Sequence, residues 1–374
     1  MKTRDIKKAL RTASPAAAEF DPGVAVSLGS VPLNLACSGR TTGALPKGVP
    51  LWMIGHSSTG KSWLKNIVFA EANRSKEFDG YRFIDDNAER GSLMDVAGFF
   101  GPETAARIEP PMGTKERPQY STTVQSLYYN IDRAFKAGKP FIYVVDSTDA
   151  LTAEGEDKAF DKKAAKHGAP KGGKEDEKGS YNMEKPKVHS ANLRRVCNRL
   201  MDTGSILVLI SQTRANIGFD ATFNPDTVAG GKALEFHCRL VFWMSIRERL
   251  RKRVLGKERE VGAVVQCKVT KNHVCGWKGK TEFVFFDSTG VDYVGSMVRY
   301  LIEEGHWKAS GGEEGRGLLK KKVTAPEFDQ TLPFNDLVEY IEENGLEKQV
   351  RLIVKNVWSK ILEGSAVKRK RRYS

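Results

Sequence analysis

The sequence predicts an α/β fold with a central, mostly parallel, twisted sheet and room for a smaller satellite domain. Apolar, β-branched runs alternate with helical segments, which is typical of βαβ units. Later runs follow one another closely, which predicts an antiparallel extension. Strands are predicted at Pro50–Ile54, Tyr81–Asp85, Phe141–Asp146, Ile206–Ser211, Arg239–Ser245, Ala263–Thr270 and Thr281–Phe286, and helices at Lys61–Phe78, Thr122–Ala137 and His189–Asp202.

Composition narrows the class of protein. The net charge of +14 favours a polyanionic partner, because lysine and arginine displace counterions from phosphates. The five cysteines lack metal-ligand spacing, which fits reduced thiols in a reducing compartment. No run of eighteen apolar residues and no secretory signal occur, so we expect a soluble, cytoplasmic protein with no membrane partner.

Three segments lack a secondary-structure pattern. Ala153–Lys187 is rich in Lys, Asp, Glu and Gly and predicts a long solvated insertion. Thr213–Gly231 is predicted to be a polar loop after a strand, and Ser310–Gly317 is a Gly/Glu turn cluster. Near the end of the chain, Lys368–Arg372 forms a basic tail. The domain prediction is an N-terminal segment at 1–29, a core at 30–290 with loops near 153–188 and 213–231, a small domain at 291–364 and a tail at 365–374.

A phosphate-binding pattern follows the first predicted strand. It matches G-x-x-x-x-G-K-[ST], and a helix comes next, which is the context that the motif requires. Glycines let backbone N–H groups turn inward toward an anion at a helix N-terminus. Lys61 would reach the β- and γ-phosphates of ATP, and the Ser62 hydroxyl would ligate Mg²⁺. The residues of the pattern are Gly55, His56, Ser57, Ser58, Thr59, Gly60, Lys61 and Ser62.

An aspartate at the end of a buried strand is the predicted partner of this loop. Tyr143-Val144-Val145 is apolar and Asp146 emerges at its carboxyl end. There the carboxylate would hold the water shell of Mg²⁺. The competing interpretation is an ordinary surface aspartate that ends a strand.

An ordered series of motifs resembles the bacterial RecA and phage UvsX recombinases. The similarity runs from about Ser30 to Gly317, and it depends on the order of the motifs because the P-loop alone is widespread. The matching segments are Leu45-Pro46-Lys47-Gly48, Val145-Asp146-Ser147, Ala150-Leu151-Thr152, Leu209–Arg214, Asn224-Pro225-Asp226, Gly230–Leu234, Val269–Asn272, Glu304–Trp307 and Gly315-Arg316-Gly317.

The resemblance implies a RecA-type P-loop ATPase core and a small α+β C-terminal domain. It further implies a DNA-dependent ATPase that forms a helical filament on single-stranded DNA, pairs it with a homologous duplex, and works with a single-strand-binding protein and a loader. Gln212 resembles the family's γ-phosphate sensor at the base of the second DNA loop. A short N-terminal helix at Ile6–Thr12 would dock on the neighbouring subunit.

The resemblance also implies DNA-contacting positions. Phe219 and Phe223 would wedge between bases or stack on them, although loop aromatics often pack on their own domain. The i, i+4 spacing of Ser190 and Arg194 puts both on one helix face. A solvated helix face is the alternative. The full set is Lys187, Ser190, Arg194, Arg214, Phe219, Phe223, Gly230, Gly231 and Lys232.

The sequence departs from the family at its catalytic positions. An ungapped match puts Asn87 at the catalytic glutamate, whereas a two-residue insertion restores Glu89, which we prefer because a carboxylate is needed to activate water. Asp86 is the alternative. Lys271 resembles a lysine that acts on a neighbouring subunit's nucleotide, but the second such position is His273.

Two other functions remain open at this stage. A recombination mediator would bind ATP and DNA with little hydrolysis, and the departures at Glu89 and His273 are compatible with it. A hexameric helicase with the same core is the other alternative. The glutamine-headed loop followed by Gly230–Leu234 argues against the helicase, as does a small domain that follows the core.

Overall fold

The computed structural model describes residues 24–91, 93–157, 160–161, 184–215, 226–228, 231–311 and 317–366. The strands are β1 Ala25–Val26, β2 Leu45–Pro46, β3 Pro50–Gly55, β4 Arg82–Asp86, β5 Ile108–Glu109, β6 Met112–Gly113, β7 Pro118–Gln119, β8 Phe141–Val145, β9 Ile206–Ala215, β10 Asp226–Val228, β11 Leu240–Val254, β12 Lys257–Asn272, β13 Gly279–Phe286, β14 Gly290–Asp292, β15 Lys308–Ser310, β16 Lys322–Ala325 and β17 Gln330–Pro333.

The helices are α1 Val31–Ser38, α2 Lys61–Asn73, α3 Val96–Phe100, α4 Pro102–Arg107, α5 Val124–Lys136, α6 Glu184–Thr203, α7 Gly231–His237, α8 Tyr293–Glu303, α9 Phe334–Glu343 and α10 Glu347–Ser365. The chain divides into two compact units. The first contains Leu45–Ile54 and Ala72–Val241 with the residues before Val26. The second contains Val26–Ala44, Gly55–Glu71 and the residues from Phe242 onward.

The first unit contains the parallel sheet that the sequence predicts. Its strands follow the order β3-β9-β8-β4-β5, and the pairs β8–β9, β4–β8 and β4–β5 are parallel. Every residue of β8 is buried, as expected for a strand covered on both faces. Helix α5 begins at a capping box, in which Thr123 Oγ1 accepts from Ser126 N and Ser126 Oγ accepts from Thr123 N. The mixed α/β, mostly parallel fold class is therefore confirmed.

The predicted loop at Thr213–Gly231 begins and ends in regular structure, which corrects the sequence prediction. Strand β9 continues to Ala215 and pairs antiparallel with β10, with Val228 opposite Thr213. Gly231 is the first residue of α7. The loop prediction followed the polar composition of the segment, but ladder hydrogen bonds satisfy its ends.

The second unit contains an antiparallel meander, β11-β12-β13-β14. Strand β11 runs to Val254, nine residues beyond the predicted end at Ser245, and β12 begins at Lys257 rather than Ala263. Both corrections concern highly charged sequence, in which no apolar alternation marks a strand. The predicted helix at Lys61–Phe78 ends at Asn73, and a separate 3₁₀ turn spans Lys76–Phe78.

The last part of the second unit mixes helices with a small sheet. Strands β15, β16 and β17 form a three-stranded antiparallel sheet, and α8, α9 and α10 accompany it. These elements make up the predicted α+β domain at 291–364, whose boundary stays a prediction. Among the described residues, no helix has the length and apolar character needed to cross a bilayer. The N-terminal segment before residue 24, most of 158–183 and the basic tail from 367 lie outside the described residues.

Candidate nucleotide-binding site

The P-loop follows directly from a buried strand. All six residues of β3 are buried, whereas His56, Ser57 and Ser58 are exposed beyond its end. Ser58 and Gly60 have φ of 62° and 84°, so the chain curls in the left-handed region before α2 begins. Such a turn at a helix N-terminus directs backbone N–H groups toward one point and favours an anion. The loop has the local geometry that the motif predicts.

The lysine of the loop is held over the loop backbone. Lys61 is buried, and its Nζ donates to Gly55 O at 2.8 Å and to His56 O at 2.5 Å. Thr59 Oγ1 donates to the same His56 carbonyl at 2.9 Å. These bonds fix the ammonium among carbonyl dipoles at the mouth of the loop, where it can add a positive charge to the anion site.

Gly55 is required by close packing. A Cβ atom at this position would lie 2.7 Å from Met244 O and 3.0 Å from Thr59 Oγ1. The first of these contacts is with backbone and offers little room to relax. The motif's first glycine therefore lets the loop lie against β11.

In the first unit, Gln212 and Glu89 are in direct contact. Gln212 Nε2 donates to both carboxylate oxygens of Glu89, at 2.8 and 3.1 Å. The backbone N–H of Gln212 donates to Asp149 Oδ2 at 2.8 Å, and Glu89 N donates to Asp146 O at 3.1 Å. Four polar residues near the carboxyl ends of β4 and β8 and within β9 thus form one hydrogen-bonded group, and three of them, Glu89, Asp146 and Gln212, were predicted from the sequence. Asp149 is the member that sequence reasoning missed, and no local pattern marks it.

Asp86, the alternative catalytic carboxylate, has a different environment. It is fully buried and accepts from Ser121 N at 2.9 Å, Ser121 Oγ at 2.5 Å and Tyr143 Oη at 2.7 Å. Burial raises the pKa of Asp86, although these hydrogen bonds oppose the shift. Both carboxylate oxygens are engaged inside the protein, whereas Glu89 is exposed. This geometry favours Glu89 over Asp86 for activating water.

The predicted DNA-contacting residues are distributed over α6, β9 and α7. Lys187 and Arg194 are exposed on α6, Ser190 is half-buried between them, and Lys232 is exposed on α7. Arg214 lies in the β9–β10 ladder opposite Thr227. Phe219, Phe223 and Gly230 lie outside the described residues.

A buried pair anchors α6 near the residues that are predicted to contact DNA. Tyr128 Oη and His189 Nδ1 lie 2.8 Å apart, with both side chains buried. Burial lowers the pKa of His189 to about 4, so the imidazole is neutral near pH 7. Burial also raises the pKa of Tyr128, so its hydroxyl stays protonated and can donate to the ring nitrogen. The pair fixes the helix without a charge in the core.

Lys271 lies near the end of β12, which is anchored by the neighbouring Asn272. Asn272 Nδ2 donates to the carbonyls of Ala36 and Cys37, at 3.0 and 3.1 Å, and its Oδ1 accepts from Val274 N at 2.8 Å. Lys271 is half-buried and His273 is exposed. The sequence marked Asn272 only as part of a motif; its bonds identify it as the residue that fixes the strand end.

Metal-ion chemistry here requires oxygen donors. In the part of the chain that the structure describes, no cluster of three or more His, Cys, Asp or Glu side chains forms a self-contained metal site. The hydroxyl of Ser62 and the carboxylate of Asp146 are oxygen donors of the kind that Mg²⁺ accepts together with phosphate and water. The roles of Ser62 and Asp146 in holding Mg²⁺ stay predictions.

The α/β fold and the P-loop sequence match what is expected of a RecA-type core. Residues 131–292 match the family model of the RecA N-terminal domain. The chain is 28% identical to Protein RecA of Sulfurovum sp. (strain NBC37-1) over 321 aligned residues. The aligned region covers 83% of this chain and 81% of that protein. The chain is also 28% identical to Protein RecA of Teredinibacter turnerae over 309 aligned residues, which make up 80% of this chain and 79% of that protein. These similarities support the RecA family for this chain.

Proposed function

We propose that the protein is an ATP-dependent DNA strand-exchange recombinase of the type of bacterial RecA and phage UvsX. In this proposal it forms helical filaments on single-stranded DNA and acts in homologous recombination and repair. The observation that carries the proposal is the contact between Gln212 and Glu89 at the base of the β9–β10 hairpin. It joins the residue assigned to hydrolysis to the segment assigned to DNA binding.

The P-loop supplies the phosphate-binding chemistry of the proposal. Backbone N–H groups of Gly55–Ser62 surround the β-phosphate, and Lys61 adds a positive charge toward the γ-phosphate. Mg²⁺, when bound, offsets phosphate charge, and Ser62 offers it an oxygen ligand. Asp146 is the predicted second residue for the ion.

Glu89 and Gln212 have complementary roles in the proposed turnover. The Glu89 carboxylate orients and deprotonates the attacking water. The Gln212 amide detects the γ-phosphate, because an amide donates hydrogen bonds to phosphate oxygens without adding charge. Gln212 is the seventh residue of β9, so a change in its side-chain partner is transmitted to the hairpin through its own strand.

The β9–β10 hairpin, α6 and α7 form the proposed contact with single-stranded DNA. Lys187, Arg194 and Lys232 are exposed cations that can approach phosphates. Subunits would add head to tail, a heterologous contact that generates a helix when it does not close. Lys271 would act across that contact, and a single-strand-binding protein and a loader are the expected partners.

ATP hydrolysis by the full-length protein tests the proposal, measured with and without long single-stranded DNA. We expect DNA to stimulate hydrolysis, and we expect Lys61→Ala and Glu89→Gln to abolish the stimulated rate. Lys139→Ala and Glu103→Gln are matched controls, since both residues are exposed and lie outside the site. A stimulated rate that survives in Glu89→Gln would reject the assigned carboxylate.

A recombination mediator that binds ATP and DNA but barely hydrolyses is the second candidate. The exposed His273 favours it, because this residue stands where the family has a second lysine and imidazole is a weaker cation. Tight ATP-dependent binding of single-stranded DNA without stimulated hydrolysis would support the mediator. A His273→Lys variant that gains stimulated hydrolysis would identify the histidine as the reason.

A further inference from the structure

Strand β9 changes its partner strand along its length. Residues 206–209 pair in parallel with β8, and residues 213–215 pair antiparallel with β10. The three residues between these ladders, 210–212, lie beyond the last residue of β8, and we call them the joint. Backbone N–H and C=O groups inside a protein need hydrogen-bond partners, so groups other than those of β8 must supply them here.

A short turn after β8 supplies partners to the joint. The turn is the 3₁₀ helix Thr148–Ala150. Thr148 Oγ1 donates to Ile210 O at 3.2 Å, and Asp149 Oδ2 accepts from Gln212 N at 2.8 Å. For these two backbone groups, side-chain oxygens of the turn therefore replace the pairing that β8 no longer provides.

A buried chain of hydrogen bonds fixes the first two residues of the joint. Trp52 Nε1 donates to Ser211 Oγ at 2.8 Å, and Ser211 Oγ lies 2.6 Å from Thr148 Oγ1. All three side chains are buried. The third residue of the joint is different, because its backbone N–H is held by Asp149, whose side chain is only half-buried.

Gln212 is thus bonded to two acidic residues through two different groups. Its backbone N–H donates to Asp149, and its side-chain amide donates to Glu89. The position of a backbone determines where its side chain can reach, so the bond to Asp149 sets the direction of the amide. Loss of this bond would free the end of the joint while the β8–β9 ladder and the buried chain stay intact.

We propose that Asp149 is a positioning residue of the ATPase site. It holds the Gln212 main chain so that the amide faces Glu89 and can exchange this partner for a phosphate oxygen. The next residue, Thr213, begins the ladder with β10, so the same bond transmits the exchange to the β9–β10 hairpin. The inference rests on the proposed function, because it concerns the regulation of the same site. In this role Asp149 acts only through Gln212.

Two substitutions separate the hydrogen bond of Asp149 from its charge. Asp149→Asn removes the charge but keeps a side-chain oxygen that can accept from Gln212 N, whereas Asp149→Ala removes both. In the full-length protein, Asp149→Ala should lower kcat of DNA-stimulated ATP hydrolysis about tenfold and leave KM for ATP unchanged. Asp149→Asn should keep most of the stimulation. An asparagine variant as slow as the alanine variant would overturn the proposal, since the charge would then be the cause.

A double variant tests whether Asp149 acts through Gln212. Asp149→Ala combined with Gln212→Ala should hydrolyse ATP at the rate of Gln212→Ala alone, both with and without DNA. A rate well below that of the single variant would show an independent role for Asp149 and reject the proposal.

Thr148→Val is the matched control, because it removes hydrogen bonds between the same turn and the same strand but leaves the Asp149–Gln212 bond in place. It should lower the urea midpoint of unfolding and keep the stimulation by DNA. Loss of stimulation equal to that of Asp149→Ala would contradict the proposal, since any weakening of the turn would then suffice.

Hydrogen exchange of peptides that cover β9 separates this inference from the proposed function, because it requires neither DNA nor hydrolysis. Residues 212–215 should exchange faster in Asp149→Ala than in the parent, and Asp149→Asn should match the parent. If DNA did not stimulate hydrolysis by the parent, the proposed function would fail, while this exchange pattern would still support the hold of Asp149 on Gln212. Equal exchange in the parent and the alanine variant would overturn the inference, whatever the hydrolysis rates are.

Discussion

Gln212 donates its side-chain amide to both carboxylate oxygens of Glu89, at 2.8 and 3.1 Å, while its backbone N–H donates to Asp149. The side-chain N–H groups of Gln212 are therefore used by the two carboxylate oxygens of Glu89. The same amide cannot donate fully to a phosphate oxygen and to both oxygens of Glu89, because it has only two N–H donors. The Gln212–Glu89 contact therefore links the availability of the carboxylate to the partner chosen by the amide.

Substitution of Gln212 tests this link. Gln212→Ala removes the amide, so we expect nucleotide binding to persist while stimulation of hydrolysis by single-stranded DNA is lost. Gln212→Glu keeps the length of the side chain but places a second carboxylate against Glu89, so it should lose stimulation as well. The measurements are nucleotide affinity and the ratio of hydrolysis rates with and without DNA. A normal ratio in Gln212→Ala would contradict the assigned role.

Close packing at the first glycine of the P-loop gives a second prediction. Gly55→Ala drives a Cβ atom to 2.7 Å from Met244 O, so we expect nucleotide binding to fall sharply and stability to drop by about 1–3 kcal/mol. Gly80→Ala is the matched control, because a Cβ atom there meets nothing within 4 Å and no left-handed φ occurs. That variant should be neutral or more stable by up to about 1 kcal/mol. Urea unfolding and nucleotide titration check both variants, and equal behaviour of the two would contradict the packing argument.

The buried imidazole of His189 predicts a pH dependence of stability. Its pKa is about 4 in the folded chain against about 6.5 unfolded, so the unfolded chain binds more protons between these values. The contribution is present above pH 6.5 and is lost as pH falls toward 4. Between pH 7 and pH 5 the loss should be about 2 kcal/mol.

His189→Gln tests the pH prediction. The glutamine carbonyl can still accept the Tyr128 hydroxyl but does not titrate, so the fall in unfolding free energy between pH 7 and pH 5 should be smaller than in the parent chain. Equal slopes for His189→Gln and the parent would show that this imidazole is not the source.

Local patterns predicted the parts of the fold that are buried and close in sequence. The P-loop and β8 carry their own signals: a fixed glycine spacing in one and a continuous apolar run in the other. Ser121 and Tyr143 donate hydrogen bonds to Asp86, and they lie 35 and 57 residues away from it along the chain. The choice between Glu89 and Asp86 therefore had no local signal in the sequence. Residues that far apart are brought together only by the fold.

The outer half of the β11–β12 hairpin was missed for a related reason. Its residues are charged and face solvent, so no alternation of apolar and polar residues marks a strand. The sequence of the turn did not indicate a hairpin either. Leu255 and Gly256 form the two-residue connection with φ of 50° and 76°, whereas a turn with two positive φ values usually carries Asn-Gly.

The turn yields the last prediction. Leu255 adopts a left-handed backbone, which costs a leucine about 1–2 kcal/mol relative to residues suited to it, and its side chain is 91% exposed. Leu255→Asn should therefore stabilise the protein by about 1 kcal/mol, because asparagine tolerates this conformation and little apolar burial is lost. Leu255→Val, with a β-branched side chain, should destabilise it. Urea unfolding gives the free energy of unfolding of the parent and the two variants. An asparagine variant that is no more stable than the parent would contradict the turn geometry.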